Sequence, residues 1–324
     1  LDTMINQKGK NVVCVYCWVG GSQASLLKII HTLEEMEALD YTIVVAASAS
    51  ASSGEQYLAP YVAATMAEYF MYSGRDAFVV FDDLTKHAWI YRELSLLLER
   101  SPGREAYPGD IFYLHSQLME RAGRLNPEMG SGSMTFFPIV ETLQGDITGY
   151  IQSNLVSMTD GQVYISSSLF HEGFKPAIDL GQSVSRIGSK VQSDALREVS
   201  DTLRLDYAQY KDMLRLMRIK TKLSTEISEK LRRGEALSLL LMQNAHKPVS
   251  ELDLIIQLYA FKRKILEILS PDGLSLFGRE IMDYLEELHP ALLKALLEKK
   301  MLSPEVKEEL DRAFVEFFRE KKVV

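Results

Sequence analysis

Arg186 is the residue of this sequence with the clearest capacity to act on a negatively charged ligand. It lies among small and hydroxyl residues, in Ser183-Val184-Ser185-Arg186-Ile187-Gly188, where a partner's backbone could approach closely. A guanidinium group is planar and always charged, and it binds phosphate oxygens in pairs. The pattern therefore indicates an arginine that stabilises phosphate charge across a subunit boundary. The alternative is structural, because most surface arginines form weak salt bridges.

A second candidate is Asp82, which ends the hydrophobic run Val79-Val80-Phe81. In nucleotide-binding sheets, a carboxylate at the end of such a strand lies beside the magnesium ion of the bound nucleotide. An Asp at a strand end can instead cap the following helix. Asp83 directly precedes a helical pattern and suits that second role. We therefore assign Asp82 to a magnesium ion and Asp83 to the cap.

Other catalytic patterns are missing from the sequence. It contains no GxxxxGK[ST] motif, and Gly20-Gly21-Ser22 follows a predicted strand without a lysine after it. The six histidines are scattered without metal-ligand spacing. Cys14 and Cys17 are three residues apart on a predicted strand and so face opposite sides of it. We expect two buried thiols there, with neither a disulfide nor a metal pair.

The elements that must position these residues alternate along the first hundred residues. Continuous apolar runs predict strands that are buried on both faces, and periodic runs predict helices. The predicted strands are Asn11–Val19, Tyr41–Ala47 and Ala77–Phe81, and the predicted helices are Gln23–Leu39, Gln56–Tyr72 and Leu84–Arg100. Such alternation indicates a parallel sheet with crossover helices, whose ligands bind at the carboxyl ends of the strands.

The pattern changes after Pro102. A helix at Ile111–Arg124 is followed by predicted strands at Met134–Glu141, Val156–Met158, Val163–Ile165 and Ala177–Leu180. Beyond Lys190 we predict only helices, five to seven in number, with breaks at Gly234, Lys247-Pro248, Pro271-Asp272-Gly273, Pro290 and Pro304. The predicted fold class is α/β: a mostly parallel sheet with flanking helices over residues 1–191, followed by an all-α domain over residues 192–324.

Composition limits the classes of function. A chain of 324 residues can form about two domains. Its net charge of −8 argues against a nucleic-acid surface. No apolar run approaches the length of a membrane span. The opening Leu1-Asp2-Thr3-Met4-Ile5-Asn6 has the pattern of the tail of a helix stopped by Gly9, so we expect the sequence to be a fragment.

Seven segments together resemble the alpha subunit of the rotary F-type ATP synthase. Their order and spacing agree over essentially the whole predicted sheet domain, whereas the helical domain agrees in length and in landmarks such as Arg233-Gly234. The segments are Ile5–Gly9, Tyr41–Ala46, Gln56–Tyr61, Ala67–Tyr72, Gly103–Asp110, Pro138–Thr142 and Ser183–Ser189.

The resemblance implies a RecA-like nucleotide-binding domain and a C-terminal helical bundle. It implies a ring in which three alpha and three beta subunits alternate around a central gamma subunit, during proton-driven ATP synthesis or hydrolysis. Such a ring is peripheral to an energy-transducing membrane, on its cytoplasmic, matrix or stromal face. The phosphate loop and an N-terminal domain that contacts the peripheral stalk would precede Leu1.

The resemblance also implies roles for single residues. Catalysis occurs mainly on beta, while alpha binds ATP or ADP with Mg²⁺ at a site that does not turn over. Arg186 would act in trans on the catalytic site of the adjacent beta subunit, with Ser183 and Ser185 holding its loop. Asp82 would lie on the magnesium side of alpha's own site, through water. Phe170 would pack the adenine, and Lys175 stands where alpha subunits have an arginine.

Three departures from the family pattern define the alternatives. Gly21 stands where alpha subunits have a glutamine and beta subunits a water-activating glutamate. Lys175 keeps the charge of the usual arginine but not its fork. The glutamine-bearing segment near adenine is matched by Leu216-Met217-Arg218-Ile219. The alternative function is that of a divergent structural or interaction paralogue without nucleotide. A self-sufficient ATPase is disfavoured, because neither the phosphate loop nor the catalytic carboxylate is in the sequence.

Overall fold

The computed structural model describes residues 1–217 and 225–322. Two compact units divide the chain, Leu1–Asp160 and Gly161–Val324. They are called the first and second unit below. The domain boundary predicted between residues 191 and 192 differs from this division and stays a prediction.

The first unit contains six helices and five strands among its described residues. In chain order they are α1 Asp2–Ile5, β1 Val12–Val19, α2 Gln23–Glu35, β2 Thr42–Ala47, α3 Ser53–Tyr72, β3 Asp76–Asp82, α4 Leu84–Leu97, α5 Ile111–Met119, β4 Gly123–Arg124, β5 Ser133–Pro138 and α6 Tyr150–Met158. Short 3₁₀ turns lie at Leu39–Tyr41, Arg104–Ala106 and Pro127–Met129.

The five strands form one sheet in the order β2-β1-β3-β5-β4. The pairs β1–β2, β1–β3 and β3–β5 are parallel, and only β4 runs antiparallel to its neighbour β5. Because β1 and β3 are parallel neighbours, their carboxyl ends lie side by side, with Trp18 opposite Asp82. The predicted mostly parallel sheet with flanking helices is confirmed.

Both faces of the sheet are covered at β1 and β3, as their continuous apolar runs predicted. The prediction of a buried strand is wrong for β2, which lies at the edge of the sheet and is mostly only half-buried. Cys17 packs on one face in a cluster with Val15, Val79 and Phe81. Cys14 packs on the other face with Tyr16 and other residues of β1 and β3. Both cysteines are free and buried, and burial raises the pKa of Cys14 to about 11. The expectation of two buried thiols on opposite faces is confirmed.

Several boundaries predicted for the first unit are wrong. The predicted strand Val156–Met158 belongs to α6, because Ile151 and Leu155 are spaced by four residues and both point into the core. The predicted helix from Ile111 ends at Met119, and Gly123–Arg124 pairs with the sheet instead. Short apolar runs do not distinguish a helix from a strand until their partners are known.

The second unit is mainly helical. Its elements are β6 Gly161–Gln162, α7 Ser167–His171, β7 Val184–Ser185, α8 Asp194–Ser200, α9 Leu203–Met217, α10 Thr225–Leu240, α11 Glu251–Lys262, α12 Pro271–Leu288, α13 Pro290–Lys299 and α14 Pro304–Lys321, with 3₁₀ turns at Gly188–Val191 and Ile265–Ile268. One core joins the helices through fully buried aromatic rings such as Phe261, Phe277 and Phe314. The predicted all-α domain is confirmed.

Three predictions for the second unit are wrong. Val163–Ile165 and Ala177–Leu180 are not strands, since only Ile165 and Ile178 form a single bridge. Gly234 does not break a helix but lies inside α10. A Cβ atom at Gly234 would lie 2.1 Å from the ring of Tyr210 on α9, so this glycine permits close packing of two helices. Helix propensity alone is overridden by this tertiary contact.

Within the described residues, none of the helices combines the length and apolarity needed to cross a membrane.

Candidate functional site

Asp82 is the last residue of β3 and is half-buried at the carboxyl edge of the sheet. The hydroxyl of Tyr16 on β1 donates a hydrogen bond to its Oδ2 atom at 2.5 Å. Burial of Tyr16, together with this carboxylate, raises the pKa of Tyr16 far above its usual range. Tyr16 is therefore a permanent donor at neutral pH, and it holds the Asp82 carboxylate in one orientation at the edge where ligands bind.

Asp83 has the capping role that the sequence predicted. Its Oδ1 accepts a hydrogen bond from the backbone N of Lys86 at 2.7 Å, at the first turn of α4. Its Oδ2 lies 2.6 Å from Nζ of Lys86, which also lies 3.1 Å from a carboxylate oxygen of Glu141. Burial raises the pKa of Asp83, while Lys86 acts in the opposite direction. The two adjacent carboxylates therefore have different partners: Asp82 binds Tyr16 at the end of β3, and Asp83 binds Lys86 at the start of α4.

Two glycines follow β1 at the same edge. Gly20 has a φ of +66°, a conformation that other residues adopt only with strain. Gly21 is buried, and a Cβ atom built on it would lie 2.0 Å from Cζ2 of Trp18. The indole of Trp18 thus fills the space that a side chain at position 21 would need.

Phe170 and Lys175 are brought together in the second unit. Phe170 is 55% exposed at the end of α7, and Nζ of Lys175 lies 4.7 Å from the centroid of its ring. An ammonium group at this distance is attracted to the ring face. The carbonyl of Lys175 also accepts a hydrogen bond from the backbone N of Gln243 at 2.8 Å. Of the predicted adenine-side segment Leu216–Ile219, Arg218 and Ile219 lie outside the described residues.

Ser183 and Ser185 shape the loop that carries Arg186. The strands β6 and β7 pair Gly161 with Ser185. The hydroxyl of Ser183 accepts from the backbone N of Tyr164 at 2.9 Å and donates to the carbonyl of Asp179 at 2.7 Å. Ser185 accepts from the backbone N of Gly188 at 3.0 Å.

Arg186 directly follows β7 and is exposed. Its backbone is therefore held from both sides, by β7 before it and by the Ser185–Gly188 turn after it. A side chain carried by an ordered backbone loses less freedom when it binds a ligand.

The candidate residues supply only some of the ligands that a magnesium–nucleotide complex needs. Magnesium in nucleotide sites keeps several waters and takes one or two carboxylates in addition to phosphate oxygens, and Asp82 supplies one such carboxylate. No group of three His, Cys, Asp or Glu side chains suited to a metal ion occurs in the part of the chain that the structure describes. The other candidates, Phe170, Lys175, Ser183, Ser185 and Arg186, belong to the second unit, whereas Asp82 belongs to the first.

Tyr16 and Trp18 were not identified from the sequence. Both were interpreted only as part of a buried apolar strand. Their spacing of two residues puts them on one face of β1, and the pairing of β1 with β3 brings that face to Asp82. A tyrosine and a tryptophan alternating at the end of a strand, followed by two glycines, are the signal that could have indicated them.

Comparisons with known proteins give matches over nearly all of the sequence. A family profile described as "ATP synthase alpha/beta family, nucleotide-binding domain" matches residues 1–185. A second, described as "ATP synthase alpha/beta chain, C terminal domain", matches residues 192–317.

Similar curated proteins carry the name ATP synthase subunit alpha. The one from Petrotoga mobilis is 46% identical over 316 residues, and those from Clostridium botulinum and Clostridium acetobutylicum are 44% and 45% identical over 317 residues. Each alignment covers 98% of this chain and 63% of the relative. The chain thus spans somewhat less than two thirds of the length of these relatives.

Proposed function

Because the chain belongs to the ATP synthase alpha/beta family, we propose that it is part of an alpha subunit that lends Arg186 to the catalytic site of an adjacent beta subunit. The same subunit binds ATP or ADP at a site of its own without turning it over. The complex synthesises or hydrolyses ATP in a proton-driven rotary cycle, and this chain has no turnover by itself.

The observation that carries the proposal is the hydrogen-bonded segment before Arg186, in which β7 pairs with β6. The hydroxyl of Ser183 forms hydrogen bonds with the backbone of Tyr164 and Asp179, and the hydroxyl of Ser185 accepts one from the backbone of Gly188. These hydrogen bonds support the backbone that carries the arginine. A guanidinium in this position can form paired hydrogen bonds to phosphate oxygens and stabilise the charge that develops on them during phosphoryl transfer.

Asp82 is proposed as the magnesium-side residue of the subunit's own nucleotide site. The family resemblance alone assigns Phe170 and Lys175 to contacts with the adenine. When bound, a magnesium–nucleotide complex supplies the polyphosphate and its counter-ion. Tyr16 orients the carboxylate of Asp82 for water-mediated contact with the metal. Phe170 offers an exposed aromatic ring for packing against the base, and Lys175 adds a positive charge beside it.

The proposed partners are those that the family resemblance implies. The chain would alternate with beta subunits in a ring of three plus three, around a central gamma subunit, at the surface of an energy-transducing membrane. Contacts to a peripheral stalk are assigned to the part of the subunit that precedes this chain in the family.

The test is the substitution Arg186→Ala in the full-length protein, assembled with its partner subunits. Steady-state ATP hydrolysis should fall by about 10³–10⁵-fold, the range known for such arginines, while the ring still assembles. Arg186→Lys should also be strongly impaired, because the paired hydrogen bonds of the fork are lost. The matched control is Arg215→Ala, since the Arg215 side chain is 80% exposed on a helix of the same unit.

A loss of only a few-fold in an intact complex would refute the trans-acting role. Failure of Arg186→Ala to assemble, with normal assembly of Arg215→Ala, would instead assign Arg186 to the subunit interface.

One observation favours a second candidate, the structural paralogue without nucleotide. The ammonium group of Lys175 lies over the ring of Phe170, on a surface that an adenine base would need. Equilibrium binding of MgATP to the full-length protein distinguishes the two functions. Binding of one nucleotide per subunit, weakened by Phe170→Ala, supports the alpha-subunit function, and no binding at millimolar MgATP supports the structural one.

A further inference from the structure

The stretch of chain that carries Arg186 lies on the surface of the second unit. Every residue from 184 to 191 is exposed, so apolar packing cannot hold this part of the backbone in place. The chain meets the helical core on either side, at Leu180, which packs against that core, and at Ala195, which is fully buried in it. Residues 181–192, the Arg186 segment, therefore depend on hydrogen bonds for their position.

Arg204 on α9 holds the first half of the Arg186 segment. Its Nη2 atom donates a hydrogen bond to the carbonyl oxygen of Gly181 at 3.1 Å. The same turn is held from the other direction, because Oδ1 of Asp179 accepts hydrogen bonds from the backbone N of Gly181 at 2.8 Å and of Gln182 at 3.3 Å. The backbone that leads into β7 is therefore attached to a helix of the bundle.

Arg197 on α8 holds the second half of the segment. Its Nε atom donates to the carbonyl oxygen of Ser189 at 3.1 Å, and its Nη2 atom donates to the carbonyl oxygen of Gln192 at 3.4 Å. The planar guanidinium thus spans the 3₁₀ turn Gly188–Val191 with two donors in a fixed geometry. Its Nη1 atom lies 3.3 Å from Oδ1 of Asp194 on the same helix, and this contact restricts the rotation of the side chain.

These contacts fix the backbone on both sides of Arg186 relative to two helices. Val199 of α8 and Tyr207 of α9 are buried in the same core, so the two arginines project from one packed body. Both guanidinium groups stay charged at any physiological pH and have no acceptor function. A displacement of about 1 Å at a reacting group can cost about a hundredfold in rate, so the attachment of this exposed segment matters for what Arg186 can reach.

We propose that Arg197 and Arg204 are positioning residues, which attach the Arg186 segment to α8 and α9 and so direct Arg186 to the phosphate groups at the neighbouring subunit's site. The proposal rests on the proposed function, in which Arg186 acts in trans. Arg197 and Arg204 act through the backbone of the segment and do not touch the nucleotide. Because Arg186 stabilises charge that develops during phosphoryl transfer, loss of either attachment lowers kcat and leaves the KM for MgATP unchanged.

The kinetic test uses the full-length protein assembled with its partner subunits. Arg197→Ala and Arg204→Ala should each lower the kcat of ATP hydrolysis by roughly ten- to a hundredfold, with the KM for MgATP unchanged. The matched control is Arg215→Ala, because Arg215 lies on α9 like Arg204 but pairs with Asp212 of its own helix, at 3.5 Å. This control should keep the full kcat.

Conservative variants separate the single hydrogen bond from the fork. Arg204→Lys should recover most of the kcat, because one donor on a long side chain is enough to reach the carbonyl of Gly181. Arg197→Lys should stay impaired, because an ammonium group does not present two donors at a fixed spacing. If Arg204→Lys is as slow as Arg204→Ala, the positioning role of Arg204 is wrong.

A second background shows whether the effect passes through Arg186. In Arg186→Ala, the further substitutions Arg197→Ala and Arg204→Ala should cause no additional loss of kcat, because the side chain that they position is gone. A merely structural role would lower kcat in both backgrounds.

Hydrogen exchange of the full-length protein adds a readout that does not depend on assembly. Arg197→Ala and Arg204→Ala should speed amide exchange across residues 181–192, because the segment loses its attachment to the helices. Arg215→Ala should leave the exchange of this segment unchanged.

The outcomes distinguish this proposal from the proposed function. Unchanged kcat in Arg197→Ala and Arg204→Ala, an equal loss in the Arg186→Ala background, or unchanged exchange of the segment would overturn the positioning role. The proposed function would stand in each of these cases, provided that Arg186→Ala alone lowers hydrolysis by about 10³-fold or more. If Arg186→Ala costs only a few-fold, the proposed function fails, and the positioning role fails with it.

Discussion

Acid is expected to unfold the first unit through two buried histidines. His87 on α4 and His115 on α5 are both 0% exposed, with ring centroids 6.0 Å apart. Nε2 of His87 lies 3.0 Å from the carbonyl oxygen of Tyr57. Nδ1 of His87 and both ring nitrogens of His115 have no hydrogen-bond partner. A proton added to this pair would bring a charge into an apolar site in which only the Tyr57 carbonyl partly stabilises it.

The size of the effect follows from the pKa values. Burial lowers the pKa of His87 to about 4 and that of His115 to about 3, against about 6.5 in an unfolded chain. Below pH 6.5 the unfolded state binds more protons than the folded state, so the free energy of unfolding falls as the pH falls. At pH 5, which is about 1.5 units below the unfolded value, each histidine costs about 2 kcal/mol, or about 4 kcal/mol together. That is a large part of the total stability of a domain, about 5–15 kcal/mol.

Tryptophan emission is a suitable assay, because Trp18 and Trp89 both belong to the first unit and the sequence has two tryptophans. Urea unfolding of the chain at pH 7, 6 and 5 should show a midpoint that falls steeply below pH 6.5. His115→Leu should remove about half of this pH dependence. It should cost little stability at pH 7, because neither ring nitrogen of His115 has a partner to lose.

The matched control is His31→Leu, since the His31 side chain is 69% exposed. It should leave the pH dependence of the unfolding midpoint unchanged. The reasoning is wrong if His115→Leu shows the same fall in midpoint between pH 7 and pH 5 as the unsubstituted chain, or if the midpoint is constant over that range.

Two further predictions test the strand edge and the helix packing. Asp82→Asn in the full-length protein should weaken binding of MgATP more than binding of ATP in the presence of a chelator, measured by titration calorimetry. Asp76→Asn, at the opposite end of the same strand, should weaken neither, and equal effects of the two would remove Asp82 from the site. Gly234→Ala should lower stability by about 1–3 kcal/mol through overpacking against Tyr210. Gly278→Ala, whose Cβ meets nothing within 4 Å, should gain up to about 1 kcal/mol from helix propensity in the same urea titration followed by circular dichroism.

Much of the architecture is readable from local patterns. The apolar runs at β1, β2 and β3 and the periodic runs between them predict a parallel sheet, because a strand buried on both faces has no polar side. The cap at Asp83 is equally local, since it depends on a side chain and a backbone N three residues later. The resemblance over the sheet domain predicted the family that the profiles match.

The errors arise where a local pattern has two solutions. Val156–Met158 is apolar enough for either a strand or a helix, and its place in α6 depends on partners elsewhere in the first unit. From the sequence, Gly234 is predicted to break a helix. In the structure, Tyr210 on another helix leaves no space for a side chain at this position. Tyr210 is far from Gly234 in sequence, so a prediction from periodicity and propensity could not include it.

The same distinction holds for the candidate site. The sequence by itself determined which residues have suitable chemistry, Asp82 and Arg186, because charge and strand-end position are properties of short segments. Only the tertiary structure decided what surrounds Asp82. The hydrogen bond from Tyr16 and the indole of Trp18 over Gly21 depend on the register between β1 and β3, which the packing of the whole sheet sets.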